Sequence, residues 1–159
     1  MRSHAAGMRV LAFDFRGNGR SRGLGDPDTR LELGRDLKAA VGRIRADGVA
    51  KVVLIGASMG GAASVQNGPD LDVDAVVSLS GTRLWPGFGI NHPDALPRLT
   101  IPFVLFVSRH DPNVPLDEAK GIVAAVGSTD EQLVVLEGRD HGWGFVEYAD
   151  KRPTSGTRS

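Results

Sequence analysis

Apolar residues along this chain fall into two kinds of pattern. Several runs are short and continuous: residues 9–15, 52–55, 75–79, 101–107 and 132–136. They are rich in Val, Leu, Ile and Phe and lack strict alternation, so each predicts a strand that expects cover on both faces, as in a parallel sheet. Between them the period changes. Leu33, Leu37, Val41 and Ile44 recur at helical spacing with charges between them. Thr29 with Glu32 three residues on forms a capping box before that helix, and Gly48 marks its end. A second helix is predicted over 59–66, stopped by Asn67-Gly68-Pro69. A third runs over 115–126, with Pro115 in its first turn. A short final helix is expected over 143–148. The stretch 16–27 holds four glycines and a proline and reads as loop. The stretch 82–100 is irregular. Strands alternating with helices predict an α/β fold: a mostly parallel sheet of about five strands with helices on both faces.

Bulk properties narrow the function classes. At 159 residues the chain makes one domain with room for a real core. The expected domain is 1–149, with 150–159 a polar, disordered tail. Formal net charge is zero and the 15 arginines are scattered, so no nucleic-acid partner is expected. There is no cysteine, which excludes disulfides and thiolate metal sites. His4, His92, His110 and His141 show no metal-ligand spacing, and neither metal nor cofactor is expected. No apolar run approaches 18 residues, and Asp14 interrupts the only candidate signal segment. No membrane association is expected, and the cytoplasm is the default location.

Candidate chemistry follows from where ligands bind in such folds, beyond the carboxyl ends of the strands. Asp14, Ser58, Ser80, Asp111 and His141 stand just after the predicted strands. Three of them make a chemical set. A serine hydroxyl needs a base to take its proton. A histidine is that base near neutral pH, and later the acid for the leaving group. A carboxylate fixes the histidine tautomer and stabilises the imidazolium. Ser58, Asp111 and His141 occur in that chain order. Ser58 also stands in Gly56-Ala57-Ser58-Met59-Gly60, a G-x-S-x-G pattern between a strand and a helix. With 21 glycines in the chain, the five-letter pattern alone carries little weight, and its context must decide. Asp140 is the rival to Asp111, but an adjacent residue seldom reaches its neighbour's ring. Asp14 and Arg16 are expected to tie down the glycine loop.

With these motifs the sequence resembles the α/β-hydrolase family. Gly56 to Gly60 matches the family's nucleophile motif. Asp14-Phe15-Arg16-Gly17-Asn18-Gly19-Arg20-Ser21 matches its D-x-R-G-x-G-x-S segment, common after the fourth strand. Asp111-Pro112-Asn113-Val114-Pro115 resembles the acid loop after the seventh strand, and Asp140-His141-Gly142 the histidine loop after the eighth. The resemblance runs from about Arg9 to Phe145. It implies Ser58 as nucleophile, His141 as base, Asp111 as acid and the Met59 N–H as one oxyanion donor. The implied substrate is a small acyl compound, a carboxylic ester or its relative. Trp85 and Trp143 are candidate pocket walls; an alternative packs Trp143 and Phe145 into the core.

The departure from the family pattern is at the N-terminal side. Counterparts of only the fourth to eighth strands are visible, whereas the family has about eight. The third strand, whose following loop supplies the second oxyanion donor, has no counterpart. Three accounts fit: a chain truncated at its N-terminus, a strand supplied by another chain, or direct pairing of 9–15 with 52–55. The first two leave exposed strand edges, and self-association is then expected. One alternative function is a catalytically impaired fragment or binding protein. Another is a short-chain dehydrogenase-like NAD(P)-binding protein, from Gly56 to Gly61 read as a phosphate loop. That family needs Tyr-x-x-x-Lys, but the only tyrosine is Tyr148 and position 152 is arginine.

Overall fold

The structure, a computed structural model, describes residues 7–21, 32–85, 90–91 and 93–147. Four parallel strands form the central sheet: β1 (Val53–Ala57), β2 (Ala75–Leu79), β5 (Phe103–Ser108) and β6 (Glu131–Leu136). They lie side by side in the order β1-β2-β5-β6. Two short strands, β3 (Leu84–Trp85) and β4 (Ile90–Asn91), pair antiparallel within the stretch expected to be irregular. The helices are α1 (Leu33–Ala46), α2 (Met59–Asn67), α3 (Leu116–Ala125) and the single turn α4 (Gly144–Glu147).

The periodic positions of α1 carry its burial. Leu33, Leu37 and Val41 are each 5% exposed or less, and Gly48 takes a left-handed φ of 78° just past the helix end. Glu32 occupies the N-cap position without a side-chain capping bond; its carboxylate is engaged by Arg16 and Arg35 instead. Thr29, the other half of the expected capping box, lies outside the described residues, as do Tyr148 and the tail 150–159.

Register shows which face each helix covers. Val76 is level with Phe103, and Phe103, Leu105 and Val107 alternate onto the same face. Val65 of α2 and Ala119 and Ile122 of α3 pack into one cluster with these residues. Helix α1 joins that side through Leu33 and Leu37, against Ala62 and Ala63 of α2. Among the described residues, helices α1, α2 and α3 therefore gather on one face of the sheet. For α2 and α3 the cause is strand order. Each crossover β1–α2–β2 and β5–α3–β6 advances in the same direction across the sheet, and right-handed crossovers of one direction place their helices on one side. The opposite face leaves Val53 at 50% and Ile55 at 59% exposure, with Val77, Val104, Phe106 and Val134 only half-buried.

Residues 9–15 do not form the fifth strand. They join no ladder among the described residues, and Val10 is 59% and Phe13 41% exposed. Direct pairing with β1 does not occur, and β1 is an edge among the described residues. An apolar run becomes a strand only when a neighbour takes its N–H and C=O groups. The segment is anchored at its far end instead. Phe15 packs against the Leu33–Leu37 cluster and stacks edge-to-face with Phe13, ring centroids 5.0 Å apart. Asp14 accepts the Arg20 N–H at 2.9 Å. Arg16 reaches α1, donating to Asp36 at 2.7 Å and to Glu32 at 2.6 Å.

Two predictions arise here. Burial pushes the Asp36 carboxyl up, but the Arg16 side chain and backbone N–H together outweigh it, and the net shift is downward from 3.8. A depressed folded pKa means stabilisation that is complete above the ordinary carboxylate value and is lost as pH falls through the folded one. Asp36→Asn is therefore expected to be less stable than the unaltered chain at neutral pH, with the gap closing in acid. Urea unfolding of both across that range checks it; a gap that stays constant would contradict the ion pair. Secondly, an edge strand carrying exposed Val53 and Ile55 is an invitation to pair with another chain. Residues 1–159 are expected to elute above monomer size as concentration rises, and Val53→Lys with Ile55→Lys to move the protein back toward monomer. A concentration-independent monomer in size-exclusion chromatography would show the edge to be inert.

Candidate active site

Because all four sheet strands are parallel, their carboxyl ends share one edge. Ser58, Ser80, Asp111 and His141 all lie just beyond it. Ser58 occupies the turn between β1 and α2 with φ 50° and ψ −114°, a backbone conformation that costs an L-residue free energy. Its N–H donates to the Leu79 carbonyl at 2.8 Å, and its own carbonyl accepts from the Ala62 N–H at 2.9 Å. The turn is thereby bound to β2 on one side and to α2 on the other.

Glycines permit the turn, though not all in the way the pattern suggests. A Cβ on Gly56 would come within 2.2 Å of the Gly60 backbone, so strand and helix touch there. A Cβ on Gly61, outside the five-residue pattern, would lie 2.6 Å from Ser78 Oγ and 2.8 Å from the Gly56 carbonyl oxygen. One on Gly60 would meet only Phe15, at 3.8 Å. The constraint falls on Gly56 and Gly61.

Ser58 Oγ lies 2.9 Å from His141 Nε2. The other ring nitrogen, Nδ1, lies 2.9 and 3.0 Å from the two Asp111 carboxylate oxygens. It is Asp111, not its rival Asp140, that meets Nδ1. The Asp111 side chain is fully buried and that of His141 is 23% exposed, so the acid is shielded while the ring reaches the surface. Asp111 Oδ1 accepts the N–H groups of Asn113 (2.8 Å) and Val114 (3.1 Å), and Oδ2 accepts the Ser80 hydroxyl at 2.6 Å. With Nδ1–H donating to Asp111, the Nε2 lone pair is left to accept the Ser58 proton. The loops carrying acid and histidine are tied together at their bases. Arg109 N–H donates to Leu136 O at 2.8 Å, and the Arg109 side chain pairs with Glu137. That bond holds Glu137 below the usual glutamate range.

A cavity of ≈ 450 Å³ opens on these residues, lined by Ser58, Ser80, Thr82, Leu84, Asn113, Val114 and His141. Trp143 is not among them; it is 60% exposed, whereas Phe145 is buried at 7%. The Trp85 side chain lies outside what is described. Met59 begins α2, and its N–H, at the first helical position, has no intrahelical acceptor. His110 is exposed, and His4 and His92 lie outside the described residues. Among the described residues, no three His, Asp or Glu side chains converge as a metal site would require. Nor is any helix long and apolar enough to cross a membrane.

A parallel sheet with a serine at a strained strand-to-helix turn, and an acid and a histidine on later loops, has the α/β-hydrolase architecture. Solved structures share it. An alpha-beta serine hydrolase homologue from Coxiella burnetii superposes with a TM-score of 0.67 at 23% identity, over 87% of this chain and 64% of its own. The monoacylglycerol lipase of Paleococcus ferrophilus gives 0.69 at 16% identity, over 88% and 80%. A cold-adapted esterase from an Arctic intertidal metagenomic library gives 0.61 at 21% identity, over 76% and 58%. At these identities the likeness is one of fold, and the chain spans 64% of the length of the Coxiella protein. No curated protein matches. The model of the alpha/beta hydrolase family matches residues 2–100, more than half of the chain, and the chain belongs to that family.

Proposed function

We propose that this protein is a serine hydrolase that cleaves a carboxylic ester or related acyl bond through an acyl-enzyme intermediate. The observation that carries the reading is the continuous relay from Ser58 Oγ through His141 to Asp111, with each link at 2.9–3.0 Å. Those are the separations over which a proton moves between heavy atoms. Ser58 Oγ attacks the substrate carbonyl carbon as its proton passes to His141 Nε2. The tetrahedral oxyanion forms beside the N-terminus of α2, where the Met59 N–H donates to it. His141 returns the proton to the departing alkoxide, leaving an ester on Ser58. A water activated by His141 then cleaves that ester, and Ser58 regains its proton. Asp111 stays ionised throughout and holds the imidazolium that forms in each half-reaction.

The cavity supports a small acyl substrate. Among its lining residues Leu84 offers apolar surface to an acyl chain, and Thr82 and Asn113 are polar. Its volume lies within the usual range for small-molecule sites. The esterase and lipase names among the structural neighbours fit this reading.

The test is a fluorophosphonate probe on purified residues 1–159, followed by peptide mapping, alongside p-nitrophenyl esters of short acids. Labelling confined to the peptide containing Ser58, with measurable ester turnover, is the expected result. A folded protein that takes no label and hydrolyses no ester would leave the impaired-fragment alternative in its place.

A further inference from the structure

We propose that Ser80 is a positioning residue for this site: its hydroxyl locks the plane of the Asp111 carboxylate, and so the orientation of the His141 ring. The inference rests on the hydrolase reading above and adds a fourth side chain to it.

Backbone strain is the first observation. Among the described non-glycine residues only Ser58 and Ser80 have positive φ, 50° and 53°. Glycine adopts such a φ at no steric cost, whereas a serine there is strained. Such strain clusters at functional sites and persists where the surroundings over-determine it. The surroundings do so here, because the Ser80 N–H donates to Phe106 O at 2.8 Å and the residue is 1% exposed. The left-handed turn takes the chain off the end of β2 and points the hydroxyl at the loop beyond β5.

The second observation is what that hydroxyl meets. Its 2.6 Å bond to Asp111 Oδ2 is a short, charge-assisted hydrogen bond inside the protein. The two carboxylate oxygens have different anchors. Oδ1 is held by the Asn113 and Val114 N–H groups of its own loop, and Oδ2 by Ser80 from a different strand. Anchors on one oxygen alone leave the carboxylate free to twist about its Cβ–Cγ bond. Anchors on both fix the plane, and the His141 Nδ1–H then finds both oxygens at 2.9 and 3.0 Å. Position in the sheet makes this possible. Strand β2 lies between β1, which leads to Ser58, and β5, which leads to Asp111, so the residue just after β2 is the one between nucleophile and acid.

The experiment compares Ser80→Ala and Ser80→Gly with the unaltered chain. Both variants lack the hydroxyl, and the glycine variant also relieves the strained φ, so it remains informative if the alanine variant folds poorly. Two readouts are taken: steady-state ester hydrolysis, and the low-field proton resonance of the His141–Asp111 hydrogen bond. The expected result is a kcat lower by about ten- to a hundredfold with KM unchanged, from loss of a hydrogen bond to a charged group. The low-field resonance is expected to shift or broaden in both variants. An unchanged kcat with an unchanged resonance overturns the proposal. So does a rise in KM alone, which would make Ser80 a substrate contact, since it also lines the cavity. If the unaltered chain is itself inert toward probe and ester, the hydrolase reading fails. The resonance in the variants still decides whether Ser80 holds the Asp111–His141 pair.

Discussion

Ser58→Ala is expected to abolish fluorophosphonate labelling and to lower ester turnover by about six orders of magnitude, to what binding and the oxyanion donor alone supply. The size of the effect follows from the geometry. Ser58 Oγ is the atom within 2.9 Å of His141 Nε2 at this end of the sheet, and without it His141 has no nucleophile to deprotonate. The substitution should leave the fold intact. Alanine has the same backbone restrictions as serine at φ 50°, and the two bonds that fix the turn, Ser58 N–H to Leu79 O and Ala62 N–H to Ser58 O, are made by the main chain. Circular dichroism and thermal unfolding check the fold while probe labelling checks the chemistry. Labelling of Ser58→Ala at an undiminished rate would place the reactive group elsewhere.

Asp111→Asn should be almost as damaging, by about four orders of magnitude in turnover, although the side chains are isosteric. The amide oxygen can keep the Oδ1 position, since the Asn113 and Val114 N–H groups require an acceptor there. The amide NH₂ then takes the place of Oδ2, facing His141 Nδ1 and the Ser80 hydroxyl. That donor opposite Nδ1 competes with the amide oxygen, 2.9 Å from Nδ1 at the Oδ1 position, and favours the tautomer with the ring proton on Nε2. There it confronts Ser58, and the ring can no longer take the serine proton. Asp140→Asn serves as the control, because Asp111 is the carboxylate at 2.9–3.0 Å from Nδ1; its turnover should stay near the unaltered value. Loss of activity in Asp140→Asn, with Asp111→Asn unaffected, would reassign the acid.

Much of this site was legible in one dimension because its parts are local. The apolar run into Gly56 and the helix after Ser58 are set by neighbours in sequence, and so are the loop residues following β5 and β6. Parallel strands place every such loop at one edge, so the order Ser58, Asp111, His141 is enough to expect convergence. Ser80 shows where that reasoning stops. Its position after β2 puts it at the carboxyl edge, yet no local pattern says that its hydroxyl crosses to Asp111, or that its φ is positive. Gly61 is similar: Ser78, the side chain that a Cβ there would strike, comes from the next strand. Trp143 lies two residues beyond His141 and looked like a pocket wall. The turn into α4 leaves it 60% exposed and buries Phe145 instead.

The sequence by itself determined four of the five expected strands, the helices between them and the turn at Ser58, and it marked Ser58, Asp111 and His141 as candidates. Those are properties of short stretches, and backbone propensity and spacing suffice to specify them. The tertiary structure alone decided which strands have neighbours and which faces have cover. Residues 9–15 and 53–57 carry the same kind of apolar run, but among the described residues β1 alone pairs, and on one side. The described helices α1, α2 and α3 settle on a single face. An apolar run states what a strand needs. Whether the need is met depends on hydrogen-bond partners and crossover directions contributed by residues far away in the chain, and these exist only once the sheet is assembled.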